Sequence, residues 1–308
     1  MVLGFLKKGP GSVGCYGKLP LHGDYISHAN DGPEARFLST WLDKGYRLTP
    51  GRDNPDAAEI GFLIQGRKRT LLGVLWPSGD ASGTRRFPFT LFATVPAKPL
   101  AHCGDLVTVG IAPTIVEMAR AFPGIREAAA IDQIQAILSR IPVPTEPQAA
   151  DVRSEFGREA GRTLSAKGAM SALFEVQRFA EALGGAKKGD APSFAVRIPL
   201  RTEYAPSLEA AAWLTILSHR LGDPGLTARS HLFVRRAKGN AEGEMFVIHR
   251  DLKPDDLGFV LIPSDEYPYG NVLGADGASP EAAEFVAKLS ESAAAGFTLS
   301  DLVSAGTG

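Results

Sequence analysis

The sequence predicts an α+β fold, with antiparallel or mixed sheets flanked by helices. Three observations carry that reading. Short runs of β-branched and aromatic residues cluster with one another and do not alternate regularly with helical patterns, which argues against βαβ units. The helical patterns are amphipathic or wholly apolar and fall between groups of strands. No fixed-period repeat runs through the 308 residues, and 34 glycines with 22 prolines call for many turns, which disfavours coiled coils and helical solenoids.

The elements follow in order. Val13–Leu19 reads as a short strand opening on a Pro/Gly turn. Asp31 or Gly32 can cap a helix with Pro33 in its first turn, where Phe37, Leu38, Trp41 and Leu42 share a face and Gly45 is a stop. Ile60–Gln65 and Thr70–Trp76 read as buried strands joined by the polar turn Gly66–Arg69, and Phe87–Val95 as a third. Pro88 belongs at that strand's beginning or on an edge. Helices are expected near 112–121 and 127–139. The run Ile141-Pro-Val-Pro-Thr-Glu-Pro147 then breaks the pattern and divides the chain into a region of residues 1–140 and a C-terminal α+β region of residues 151–308 with a helical insertion.

Beyond that boundary Met170, Leu173, Val176, Phe179, Ala180 and Leu183 recur at helical spacing, ended by Gly184-Gly185 and the solvated loop Lys187–Asp190. Phe194–Pro199 reads as a strand. Ser207 is positioned to cap an apolar helix through Trp213, Leu217 and Leu221. His231–Val234 and Glu244–Ile248 form a hairpin around Lys238–Asn240, and Ser279-Pro280 starts a last helix using Phe285, Val286 and Leu289, ending near Gly296.

Charge and cysteine content exclude several classes. With 33 Lys+Arg against 34 Asp+Glu, the net charge is −1, without the basic excess of a general nucleic-acid binder or a polybasic membrane anchor. Two cysteines, Cys15 and Cys103, are too few for a disulfide framework or a four-thiolate zinc site. The opening Met1–Lys8 is too short for a signal peptide, and no uninterrupted apolar run reaches membrane-span length. A cytoplasmic protein with reduced thiols, not inserted in a membrane, is expected.

Several motifs invite catalytic readings. His249-Arg-Asp-Leu-Lys-Pro254 spells a protein-kinase catalytic loop, but Asp255 and Asp256 stand where the metal-holding Asn belongs, and no Asp-Phe-Gly follows. A strand ending at His249 and a Pro-Asp turn into a short helix explain it better. Gly9-Pro-Gly-Ser-Val-Gly14 fits a dinucleotide fingerprint, yet leads into Cys15-Tyr16-Gly17 and not a helix. His22, Asp24 and His28 share a face if they lie on a strand, which would support a metal-dependent hydrolase or a small-molecule module; Asp24 after Gly23 equally caps a turn. Ser78 and Asp80 lack the nucleophile elbow of a hydrolase. The basic turn Gly66–Arg69 and the pair Arg85-Arg86 can bind an anion or an acidic partner surface, a solvated hairpin tip being the plainer reading of the first.

The stretch Gly14-Cys-Tyr-Gly-Lys-Leu-Pro-Leu-His-Gly-Asp-Tyr-Ile-Ser27 resembles the opening of the TagF family, accessory proteins of bacterial type VI secretion. The resemblance continues through the Trp-bearing helix at Phe37–Leu42 and through Pro77-Ser78-Gly-Asp80, Gly83, Arg85 or Arg86, and Phe87-Pro88. More loosely, the Trp213 helix, the strand pair at 231–248 and Leu252–Phe259 are similar to the family's closing elements. His231-Leu-Phe-Val234 stands where the family has a Trp-Trp pair, and residues 123–190 are lengthened.

The resemblance implies a longin- or profilin-like N-terminal region, a TagF-like domain over 1–140, and no cofactor. It implies a non-catalytic cytoplasmic regulator that acts after translation by protein–protein interaction, with type VI components as partners, among them a forkhead-associated scaffold protein. Its motif positions nominate Gly17, Lys18, Leu19, Pro20, Gly23, Asp24 and Tyr25 from one turn and Ser78, Asp80, Gly83, Arg86 and Pro88 from the other as a partner surface. One of the two aspartates, Asp24 or Asp80, can pair with Arg86, and the sequence leaves that pairing open. The same turns can instead serve only to hold the fold.

Overall fold

Along the long strands, side chains alternate between two apolar clusters, as the twofold repeat of a β-strand requires. In one strand Ile60, Phe62 and Ile64 enter one cluster while Leu63 enters the other; in the next, Leu71 and Leu75 oppose Leu72, Val74 and Trp76. Burial on both sides is why these strands read as continuous apolar runs instead of alternating ones. A computed structural model describes residues 13–49, 59–143, 149–159, 163–164, 176, 193–200, 205–236, 243–262, 271–272 and 297–307. Outside them lie the segments 1–12, 187–190 and 238–240, the helix expected from Ser279, and all of the 170–183 repeat except Val176, which is buried.

Among the described residues, nine strands form one sheet. In chain order they are β1 (Val13–Gly17), β2 (Ile26–His28), β3 (Ile60–Ile64), β4 (Arg69–Trp76), β5 (Phe89–Pro96), β7 (Phe194–Leu200), β8 (His231–Arg235), β9 (Gly243–His249) and β10 (Asn271–Val272). The spatial order is β10-β7-β9-β8-β3-β4-β5-β1-β2, antiparallel except for β10 beside β7. β6 (Thr163–Leu164) and β11 (Phe297–Thr298) pair separately. Strands on either side of the proline-rich run at 141–147 meet where β3 pairs with β8, Phe62 opposite Phe233. The α+β class with a mixed, mainly antiparallel sheet is the one expected.

Helices cover both faces. One face carries α1 (Pro33–Leu48) and α8 (Asp256–Leu261); the other carries α3 (Val107–Arg126), α4 (Ile131–Leu138) and α6 (Pro206–Arg220). Shorter elements complete the second layer: α2 (Ala97–Ala101), α5 (Ala149–Glu159), α7 (Leu226–Arg229) and α9 (Leu299–Thr307), whose Leu302 is fully buried. By length and composition Gly104–Arg126 is apolar enough to cross a membrane. Glu117 and Arg120 interrupt it, and Met118 and Ile125 are wholly buried in the core.

Local expectations need four corrections. Phe37 is 43% exposed, on the flank of the α1 face that Leu38, Trp41 and Leu42 bury. Gly45 does not stop α1, which runs on to Leu48; a side chain there would come within 2.6 Å of the Pro254 carbonyl oxygen, so the glycine lets α8 approach. Ser207 is not the cap of α6: Ala205 is, and Pro206 fills the first helical position. The third strand begins at Phe89, leaving Phe87 and Pro88 in the preceding turn.

The kinase-like hexapeptide is a turn into α8. Arg250 donates both ends of its guanidinium to Asp256, at 2.7 and 2.6 Å, and the Lys253 amide donates to the same carboxylate at 2.7 Å. Trp41 Nε1 donates to the Lys253 carbonyl at 2.8 Å and ties the turn to α1.

Candidate functional site

The two motif turns meet at the end of the sheet where β1 leaves and β5 begins. Gly17, the last residue of β1, lies opposite both Ile26 of β2 and Phe89 of β5. Its φ of +133° is one that L side chains rarely adopt, and an added Cβ would stand 2.1 Å from the Pro88 carbonyl oxygen. Glycine is therefore required for the first turn to close on the second. Two bonds onto carbonyls of the first turn hold the closure: the Ala81 amide donates to the His22 carbonyl at 3.0 Å, and the Arg85 side chain donates through Nη2 to the Gly23 carbonyl at 2.8 Å.

Asp80 is the hub. The 78–87 segment folds back on itself through Asp80 N to Arg85 O at 3.1 Å, Gly83 N to Asp80 O at 3.0 Å and Phe87 N to Ser78 O at 3.1 Å, with Gly79 and Arg86 bridged. That turn buries Asp80 to 3% exposure. Its Oδ1 accepts from the Ser82 amide at 3.1 Å and from the Ser82 hydroxyl. Its Oδ2 pairs with Lys18 Nζ at 3.2 Å and with Arg85 Nε. With its single proton committed to Asp80, the Ser82 hydroxyl accepts from Thr84 Oγ1 at 2.7 Å. The Ser82 bond, joined by Lys18 and Arg85 and opposed by burial, holds the Asp80 carboxyl well below the usual range. A buried carboxylate with two cations and a hydroxyl is satisfied; it is not poised to take a proton.

An aromatic layer covers the pair. Lys18 Nζ lies 4.7 Å from the Tyr25 ring centroid. Tyr25 stacks on Tyr16 at 5.6 Å and meets Phe87 edge-on at 4.9 Å, and Tyr46 of α1 packs on Phe87 at 5.2 Å. Tyr16 donates its hydroxyl to Asp43 at 2.9 Å. Burial first, then Asp43 (by hydrogen bond and charge on Tyr16, by charge alone on Tyr25), pushes the Tyr16 and Tyr25 phenols up, so both stay neutral.

The nominated residues thus fall into groups. Gly17, Lys18, Tyr25, Asp80 and Pro88 come together, with Gly83 in the tip of the second turn and Ser78 contributing its carbonyl. Leu19 is fully buried in the core, and Pro20 lies beside Phe122 and Pro123 of α3. Gly23 and Asp24 are exposed in the first turn. The ion pair the sequence left open forms at Asp80, but with Lys18 and Arg85 and not with Arg86: Arg86 is exposed, and among the described residues it has no ion-pair or hydrogen-bond partner for its side chain. Ser82 and Asp43 were not nominated. A serine two residues after an aspartate in a Gly-rich turn is the signal for the first; nothing local signals Asp43, which arrives from α1.

Other constellations lead elsewhere. His22, Asp24 and His28 do not share a strand face. His22 Nε2 bonds the Ala128 carbonyl at 3.0 Å, and His28, alone of the three in a strand, meets Gln135 at 3.3 Å. Among the described residues no three His, Cys, Asp or Glu side chains group as metal ligands. Asp80 has no histidine partner. Ser230, His249 and Asp223 do stand in series, at 2.9 and 3.9 Å. Ser230, however, is fully buried and gives its proton to the Leu226 carbonyl, so His249 is the donor in their contact. Both thiols are buried, and burial pushes Cys15 up to about 12.

Residues 14–141 match the TagF N-terminal domain, Type VI secretion system-associated. Among solved structures, the chain is similar to PA0076 from Pseudomonas aeruginosa PAO1 at 19% identity, over 83% of this chain and 96% of that one, with a TM-score of 0.44. No curated protein matches the chain.

Proposed function

We propose that the chain, whose residues 14–141 match the TagF N-terminal domain, Type VI secretion system-associated, serves that system as a non-catalytic accessory protein. In this reading it acts in the cytoplasm, after translation, by binding another component, with a forkhead-associated scaffold protein as the expected partner. The observation that carries the reading is the convergence of the two family-type turns on one face, locked by Lys18, Asp80 and Arg85 beneath exposed Tyr25 and Arg86. Such a face is pre-shaped for contact, which lowers the ordering cost of binding. Its polar groups are turned inward on one another and are not arranged as a nucleophile with a base.

The test is affinity purification of the tagged chain from a type VI-positive host, with effector secretion measured beside it. Recovery of a type VI component in stoichiometric amount, and secretion that falls when the chain is overproduced, are expected. A chain that retains no such component and leaves secretion unchanged would remove the proposal.

A further inference from the structure

Between the end of α1 and the 78–88 turn runs an open groove walled by Tyr25, Tyr46 and Phe87. Arg47, Arg85 and Arg86 line it, with Asp43 as its carboxylate. The three arginines are not equivalent. Arg85 already spends Nε on Asp80 and Nη2 on the Gly23 carbonyl. Arg47 has a partner within the fold. Among the described residues, Arg86 alone of the three has no partner for its guanidinium fork, while its backbone is pinned by the bridge to Gly79. An anchored root with a free planar fork is suited to a bidentate contact with one carboxylate.

The chemistry of the occupant follows from the balance of charge. A phosphate dianion is best held by several free donors, and here one fork is free while the Asp43 carboxylate stands nearby and repels a second negative charge. A single carboxylate meets one fork and suffers less from Asp43. Of the aromatic wall beside it, Tyr46 and Phe87 are buried and Tyr25 is 45% exposed; the Tyr25 ring offers a seat for an apolar neighbour of the acidic residue. We propose that this groove binds a protein partner's Asp or Glu side chain on Arg86, with an adjacent apolar side chain against Tyr25. The inference rests on the contact-based function above and deepens it by naming the chemistry of the partner's contact.

The test uses the full-length chain and a dye-labelled, end-blocked peptide Ala-Leu-Glu-Leu-Ala, with Gln and phosphoserine versions in place of its Glu, followed by fluorescence anisotropy. The Glu peptide should bind about tenfold more tightly than the Gln peptide, and more tightly than the phosphoserine peptide. Arg86→Gln should remove the preference, and because the exposed Arg86 side chain makes no hydrogen bond or ion pair among the described residues, its melting curve should stay close to that of the parent. Arg67→Gln, in the β3–β4 turn at the opposite end of β4, should change nothing. Equal binding of Glu and Gln peptides, preference for phosphoserine, no binding of the Glu peptide up to millimolar concentration, or a preference that survives Arg86→Gln would each overturn the inference. The two readings fail separately. If Arg86→Gln keeps the preference while the tagged chain still retains a type VI component, the groove inference falls alone; if the preference depends on Arg86 but no component is retained, the accessory role falls alone.

Discussion

Replacing Gly17 by alanine places a methyl carbon 2.1 Å from the Pro88 carbonyl oxygen and 2.7 Å from Phe89 Cα, in a residue whose φ is +133°. Both obstacles are backbone, so no side chain can swing aside. Holding a non-glycine residue in a sparsely populated backbone region costs about 1–3 kcal/mol, and forcing a packed neighbour to move adds about 1–3 kcal/mol. The sum, about 2–6 kcal/mol, corresponds to a fall in Tm of about 5–15 °C for a chain of this size. Gly23 is the internal control, because a Cβ there meets nothing within 4 Å. Gly23→Ala should be neutral or should stabilise by up to about 1 kcal/mol, through lost freedom of the unfolded chain. Urea unfolding followed by tryptophan fluorescence reads both variants, since Trp76 at the end of β4 pairs with Phe89. A Gly17→Ala protein as stable as the parent, or a Gly23→Ala protein that falls equally far, would refute the claim that the first glycine closes the two turns.

Three further outcomes follow from the same geometry. Asp80→Asn should destabilise, because it leaves Lys18 and Arg85 without their carboxylate; since the folded carboxyl titrates below its unfolded value of about 3.9, the gap in Tm between parent and variant should be constant at neutral pH and narrow only as pH falls below about 4. His231, whose Nδ1 accepts from the Gln65 amide at 3.2 Å, is pushed down to about 4 by burial; the unfolded state then binds the proton first, so stability should be full above about pH 6.5 and decline by up to about 1.4 kcal/mol per pH unit toward pH 4, and His231→Asn should flatten that slope in urea titrations. Gly45→Ala should destabilise despite a helix-propensity gain of about 1 kcal/mol, since its Cβ would overlap the Pro254 oxygen at 2.6 Å and Leu257 Cβ at 2.7 Å; a variant more stable than the parent by thermal melting would contradict the close approach of α8.

The elements legible in the sequence are those whose signal is local. The α1 stripe of Leu38, Trp41 and Leu42, the apolar runs that became β3 and β4, and the short helix after His249 all carry their own periodicity or turn residues. The pairing of β3 with β8 is not local. Both strands are apolar on both faces, so their side chains reveal that they are central but not which strands flank them. Gly45 illustrates the same limit: a glycine late in a helical pattern reads as a stop, and only α8 arriving from the far end of the chain explains it.

At the site, the two turns were legible as motifs, and their meeting was not. The choice between Arg85 and Arg86 shows why. Neighbouring residues on a bridged segment point to opposite sides, and the register that bridges Gly79 to Arg86 sends Arg85 inward to Asp80 and Arg86 outward. The metal reading of His22, Asp24 and His28 assumed one strand through all three. The chain instead turns at 19–22, by the His22 amide to the Leu19 carbonyl at 3.0 Å, and enters β2 only at Ile26.

The central claim is that the face built by the 18–25 and 78–88 turns is where a type VI component binds. Hydrogen exchange on the full chain, alone and saturated with the component it retains from its host, tests that claim directly. The account predicts slowed exchange confined to those two turns and the adjoining end of α1, and its loss in the Arg86→Gln variant. Protection that appears only at the opposite end of the sheet, with both turns unchanged, would contradict it.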